Sequence, residues 1–206
     1  MLLAGTVFGI VRLNSEVELL QSLHVYNFNS LQQHFKSILS QSLSPDKSRQ
    51  LTSYNLSFNK LFFDDYDLDY YPNQFMIAIK DMDTGISHYI FMGDRAGEPK
   101  WLGNDYIFYT DYCGTGCQAF ILRDVSSGEL HFGYLGYFFR DNGTAYTLVQ
   151  DWSGKLSRLE GLSQDIVSET ANGKTFLVFG ITDGQGKQLG EKKLLFHEDS
   201  LALTQN

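Results

Sequence analysis

Residues 104–139, NDYIFYTDYCGTGCQAFILRDVSSGELHFGYLGYFF, constrain the fold of this chain more than any other stretch. Three runs rich in aromatic and branched residues, Tyr106 to Tyr109, Gln118 to Arg123 and Glu129 to Leu135, alternate with two turn signals. The first is Cys113-Gly114-Thr115-Gly116-Cys117. The second is Asp124-Val125-Ser126-Ser127-Gly128, in which Asp bonds its own following backbone and Gly takes positive φ without steric cost. Short apolar runs punctuated in this way read as an antiparallel meander whose first turn carries both cysteines.

The same reading extends over the C-terminal three-quarters of the chain. After Pro45 the apolar period changes from 3.6 to 2, beginning with Tyr54, Leu56 and Phe58. A polar corner running into an apolar strand occurs at Asn59-Lys60, Asn104-Asp105, Asn142-Gly143 and Asn172-Gly173. A hairpin tip occurs at Asp81–Gly85, Asp124–Gly128, Asp151–Gly154 and Thr182–Gly186. Corner and tip alternate, giving about four degenerate units, at the lower end of the propeller range. A sandwich or open meander built with similar turns is the alternative. No helix is expected past residue 48 beyond one turn at Leu162 to Val167.

Upstream, residues 15–43 carry a helical signal. Ser15 with Glu18 and Ser30 with Gln33 have capping-box spacing. Leu31, His34, Phe35, Ile38 and Leu39 recur on one helical face, and Ser44-Pro45 is a stop. The expected fold is therefore mainly β, an antiparallel meander with propeller-like repeats over 49–206, preceded by an apolar and helical segment over 1–48. The first eleven residues, MLLAGTVFGIV, are too short to span a bilayer, which needs about 20. They read either as the core of a truncated signal or anchor, in contact with a membrane, or as native core.

Composition excludes several function classes. A formal charge of −8 and a pI near 5.0 leave no basic surface for nucleic acid or anionic lipid. Two cysteines among 206 residues are too few for a disulfide framework, and the five histidines show no metal-ligand spacing. Cys113 and Cys117 either close a local disulfide, which implies an oxidising compartment, or remain two reduced thiols shaping a loop.

The candidate chemistries fall one by one. A thiol nucleophile needs a base within about 3 Å. His131 is nearest in sequence, but with Arg123 opposite Glu129 it falls opposite Ile121 while Cys117 faces Leu135, about 13 Å away. Asp65, Asp67 and Asp69 have the first three ligand spacings of a calcium loop. Tyr70 then stands where the loop needs glycine, and Met76 where it needs glutamate. That stretch reads as a solvated acidic edge with unliganded carboxylates. No nucleophile elbow, phosphate loop or dinucleotide fingerprint occurs. Trp101, Trp152, Tyr109, Tyr112, Tyr134 and Tyr137 are candidates for an aromatic binding surface, with core packing the default reading for such residues.

Cys113-Gly114-Thr115-Gly116-Cys117-Gln118 followed by Asp124-x-x-Ser127-Gly128 resembles a segment of short exported bacterial proteins of unknown function. These carry C-G-T-x-C-Q and then an Asp-led, Gly-ended tip. Each corner-strand-tip unit also resembles a blade of the periplasmic, TolB-like propellers. The first likeness spans about 30 residues and implies export without implying a reaction. The expectation is a periplasmic or secreted module, cytoplasmic being the alternative. It binds a protein or surface polymer through its loops without enzymatic chemistry. Tyr112, Thr115 and Gln118 form the binding surface, with no cofactor, metal or catalytic residue assigned. The rival is a glycosidase-like hydrolase with carboxylates converging on a cleft.

Overall fold

The computed structural model describes residues 35–56, 75–93 and 97–205. The expected signal or anchor at 1–11, helical residues 15–34, the acidic stretch 64–69 and the first corner lie outside them. The described residues form fourteen antiparallel strands and no α-helix, with one short 3-10 turn at Glu198–Ser200. Three meanders follow one another along the chain. The first sheet holds β1 (Phe35–Leu43), β2 (Arg49–Leu56), β3 (Phe75–Asp81) and β4 (Ser87–Gly93). The central sheet holds β5 (Lys100–Leu102), β6 (Tyr106–Gly114), β7 (Cys117–Asp124), β8 (Leu130–Phe139), β9 (Ala145–Gln150) and β10 (Leu156–Glu160). The third holds β11 (Leu162–Ala171), β12 (Lys174–Thr182), β13 (Gln188–His197) and β14 (Ala202–Gln205).

Two expectations are corrected. Residues 35–43, the end of the expected helix, are strand β1. Ile38 pairs with Tyr54 and Gln41 with Thr52, and the ladder is irregular between Phe35 and Ser37 and again between Ile38 and Ser40. These bulges let apolar residues at helical spacing sit in a strand. Ile38 and Leu39 are both exposed, so neither side chain enters a core of the described residues. The turn expected at Leu162 to Val167 is the start of β11.

The corner and tip signals fall where hairpins turn. Gly85, Gly128, Gly154 and Gly186, which close the four tips, have φ of 73°, 76°, 85° and 84°. The Asp that opens each tip accepts hydrogen bonds from the backbone just ahead. Asp81 takes them from Asp83 and Thr84, Asp124 from Ser126 and Ser127, Asp151 from Ser153 and Lys155, and Asp183 from Gln185 and Lys187. The second and third corner-and-tip pairs both lie in the six-stranded central sheet.

That sheet is covered on both faces, which explains why its strands read as nearly continuous apolar runs. On one face Leu102, Phe108, Phe120, Leu122, Leu135 and Val149 pack against Leu177, Phe179, Ile181, Leu194 and Phe196 of the third sheet. On the other, Trp101, Ile107, Tyr109 and Ile121 pack against Leu51, Ile77 and Ile79 of the first sheet. Central and third sheets are joined at Gly161, where the chain passes from β10 into β11 with φ +109°. A side chain there would collide with Ile181 and with the Thr182 carbonyl. The buried Thr147 hydroxyl donates to Gly161 O at 2.9 Å and accepts the Ser163 N–H at 2.8 Å. One side chain thus satisfies the backbone at the junction.

Candidate functional site

The hairpin end between β6 and β7 collects all the residues predicted to bind. Seven registered pairs run from Tyr106–Asp124 to Tyr112–Gln118. The ladder then shifts and resumes at Gly114–Cys117, leaving Cys113 outside the pairing as a bulge. Gly114 at φ 131° and Gly116 at φ 79° make the reversal, conformations that glycine alone takes cheaply. Cys113 and Cys117 lie at disulfide distance, with Cα atoms 5.7 Å apart.

Tyr112 and Gln118 are therefore direct cross-strand partners and share one face of the sheet. Tyr112 is 54% exposed and Thr115 stands exposed in the turn. Gln118 is half-buried, and its side-chain oxygen accepts the Tyr137 hydroxyl at 3.1 Å. Burial pushes the Tyr137 phenol above its ordinary value of 10.0, so it remains a neutral donor at neutral pH. The Tyr137 N–H also donates to Gly116 O at 2.9 Å, which anchors the β7 side of the turn to β8. Tyr137 was expected as core by default. Its orienting role has no local signal, because it lies 19 residues from Gln118.

The register of β7 on β8 differs by one residue from expectation. Arg123 faces Leu130, not Glu129, because the tip is one residue longer: Asp124 N–H closes onto Glu129 O. His131 then faces Leu122 and Cys117 faces Gly136. Five strand residues separate those two positions, about 16 Å, so the thiol and imidazole stay apart.

Of the six aromatics weighed as a surface, Trp101, Trp152 and Tyr109 are buried in the two cores. Tyr134 and Tyr137 are half-buried, leaving Tyr112 exposed. The exposed aromatic character lies instead along β8, at Phe132 (64%), Phe138 (37%) and Phe139 (63%). Phe138 stacks on Tyr146 at 5.2 Å, and Arg158 covers the Tyr146 ring at 4.1 Å. Glu160 holds both Arg140 and Arg158, at 2.9 and 3.0 Å.

A group of carboxylates surrounds the end where Tyr106 begins β6. Burial first, then the negative charges of Asp105, Asp199 and Asp124, raises the Glu198 carboxyl above its ordinary 4.5. Two of these acids already have structural work. Arg49 binds Asp105 at 2.9 Å, and Asp124 caps its tip. A cavity of about 190 Å³ opens beside them, lined by Arg49, Ile79, Asp81, His88, Val125 and Ser126. Among the described residues no group of three or more His, Cys, Asp or Glu is placed to hold a metal ion. A scan against protein-family models finds no match to this chain, and a search of curated proteins finds no similar protein.

Proposed function

We propose that this chain is a non-enzymatic, exported binding module that presents the β6–β7 hairpin end to a protein or a surface polymer. One observation carries the reading. An exposed tyrosine stands directly across the ladder from a glutamine whose carboxamide a neighbouring tyrosine orients, beside a glycine-shaped turn. A rigid aromatic face adds contact area at small entropic cost, and a fixed amide adds direction. Thr115 supplies a hydroxyl at the apex. Export is favoured by two cysteines at disulfide distance on the surface, an arrangement suited to oxidising compartments. The TolB-like reading draws support from the two four-stranded antiparallel meanders, β1 to β4 and β11 to β14, each of the strand number of one propeller blade.

The test is binding of the purified chain to arrays of envelope polysaccharides and extracellular protein domains, repeated with Tyr112→Ala and Gln118→Ala. Each substitution is expected to weaken a captured ligand by about fivefold or more, as truncating an interface anchor does. Ligands that bind wild type and both variants equally would place the surface elsewhere. Export is checked by fusing a reporter enzyme that is active only outside the cytoplasm.

A further inference from the structure

We propose that Cys113 and Cys117 form a reversible thiol–disulfide switch that sets the shape of the β6–β7 hairpin end, and with it the position of Thr115 at the apex beyond the Tyr112–Gln118 pair. The importance of that surface rests on the binding reading above, whereas the switch itself rests on four observations. First, the ladder holds the thiols close whether or not they are bonded: seven registered pairs below the bulge bring the Cα atoms to 5.7 Å. Second, Cys113 is exposed and sits outside the pairing, so opening the bond costs the ladder no registered pair. Third, glycines at positive φ flank the bulge and the turn, and these are the backbone positions freest to adopt a second conformation. Fourth, the chain contains no other cysteine, so exchange within it has one closed and one open form.

The reductant class is a small thiol. Its thiolate attacks the exposed Cys113 sulfur, the S–S bond breaks, and Cys117 leaves as a thiolate that takes a proton. A second thiol attacks the mixed disulfide, leaves as the symmetrical disulfide, and Cys113 takes a proton. Two electrons pass from the two thiols to the protein. Oxidation to a disulfide by a small disulfide reverses both steps.

The two strands respond unequally. Cys117 is held from its far side, through its pairing with Gly136 and through the Tyr137 N–H on Gly116 O. Gln118 is held by the Tyr137 hydroxyl. Cys113 pairs with no residue of β7, so release falls on the bulge and the apex of the turn. Reduction frees Cys113 to Thr115 and leaves the Tyr112–Gln118 pair in place.

Amide exchange followed by NMR on the full chain tests this in oxidised, glutathione-reduced and reoxidised samples, beside a Cys113→Ser/Cys117→Ser variant. The expected result is full reduction of the folded protein by glutathione. Exchange at Cys113 to Thr115 then becomes about tenfold faster, with Tyr112 and Gln118 to Leu122 unchanged within about twofold. Reoxidation restores the first pattern, and the double variant shows the reduced pattern without reductant. A bond that glutathione leaves intact overturns the proposal. So does unchanged exchange at Cys113 to Thr115, equal loosening of β7, or unfolding of the reduced chain or the variant. None of these readouts involves a ligand, so a failed binding test on the Tyr112 and Gln118 variants leaves this result standing, and the reverse also holds.

Discussion

Asp151 is 1% exposed, yet all its acceptor capacity is used. One oxygen receives the Ser153 N–H, the Ser153 hydroxyl and the Lys155 N–H at 3.0, 2.7 and 2.8 Å. The other receives the Leu203 N–H at 2.6 Å and so ties the central sheet to β14. In Asp151→Asn, an amide group replaces one of those oxygens and faces donors with another donor. A loss of about 2–4 kcal/mol is expected from urea midpoints at unchanged slope, against about 1 kcal/mol for the matching change at Asp183. Glu198 gives a pH signature of known sign. Its folded-state carboxyl titrates above its ordinary 4.5, so the native chain retains a proton that the unfolded chain has lost. Its contribution is thus most favourable in acid and declines as pH rises through the folded value. Glu198→Gln is expected to match wild type near about pH 3, to gain on it as pH rises through the folded value, and to hold that gain above it. Parallel curves across that range would remove the charge explanation.

At the level of elements, Gly161 is where a local rule decides an architecture. Its φ of +109° and the absence of a side chain let β10 turn into β11 against Ile181 and Thr182. Gly161→Ala is expected to cost about 4 kcal/mol or more, because strain and collision act together. Gly143, at φ +78° with nothing near its missing Cβ, makes the control. Gly143→Ala is expected to cost about 1–2 kcal/mol from backbone strain alone. Denaturant midpoints of the two variants check the difference. The turns were legible beforehand because an Asp carboxylate and a glycine at positive φ act within a few residues of each other. The β7–β8 register was not, since Glu129 closes the tip, and nothing in 124–130 says whether five or six residues separate the paired ends. Residues 35–43 were misread for a related reason. Ile38 and Leu39 suit a helical stripe, and pairing with β2 chose between stripe and strand.

For the molecule as a whole, the central sheet belongs to two cores at once. In β7, Phe120 and Leu122 face the third sheet while Ile121 faces the first. Stripping either neighbour exposes half of a strand that the other neighbour needs buried, so both interfaces should be lost together. One tryptophan reports on each: Trp101 lies in the core with the first sheet, and Trp152 lies on Phe120 in the core with the third, at 4.6 Å. Single-tryptophan variants Trp101→Phe and Trp152→Phe are expected to give fluorescence transitions whose midpoints and slopes agree after correction for each substitution. Two separated transitions in doubly corrected data would mean that the sheets unfold as independent units.

Sequence alone determined the strand class, the places where the chain reverses and the two cysteines meeting across a turn, because each depends on period-2 patterning or on residues a few positions apart. Tertiary structure decided which sheet each hairpin joins and which faces are buried. It also made the long-range contacts: Tyr137 reaches Gln118 across 19 residues, and Arg49 reaches Asp105 across 56. Such contacts depend on how three twisted sheets stack, and the apolar runs of a sheet buried on both faces carry no mark of which neighbour each face meets.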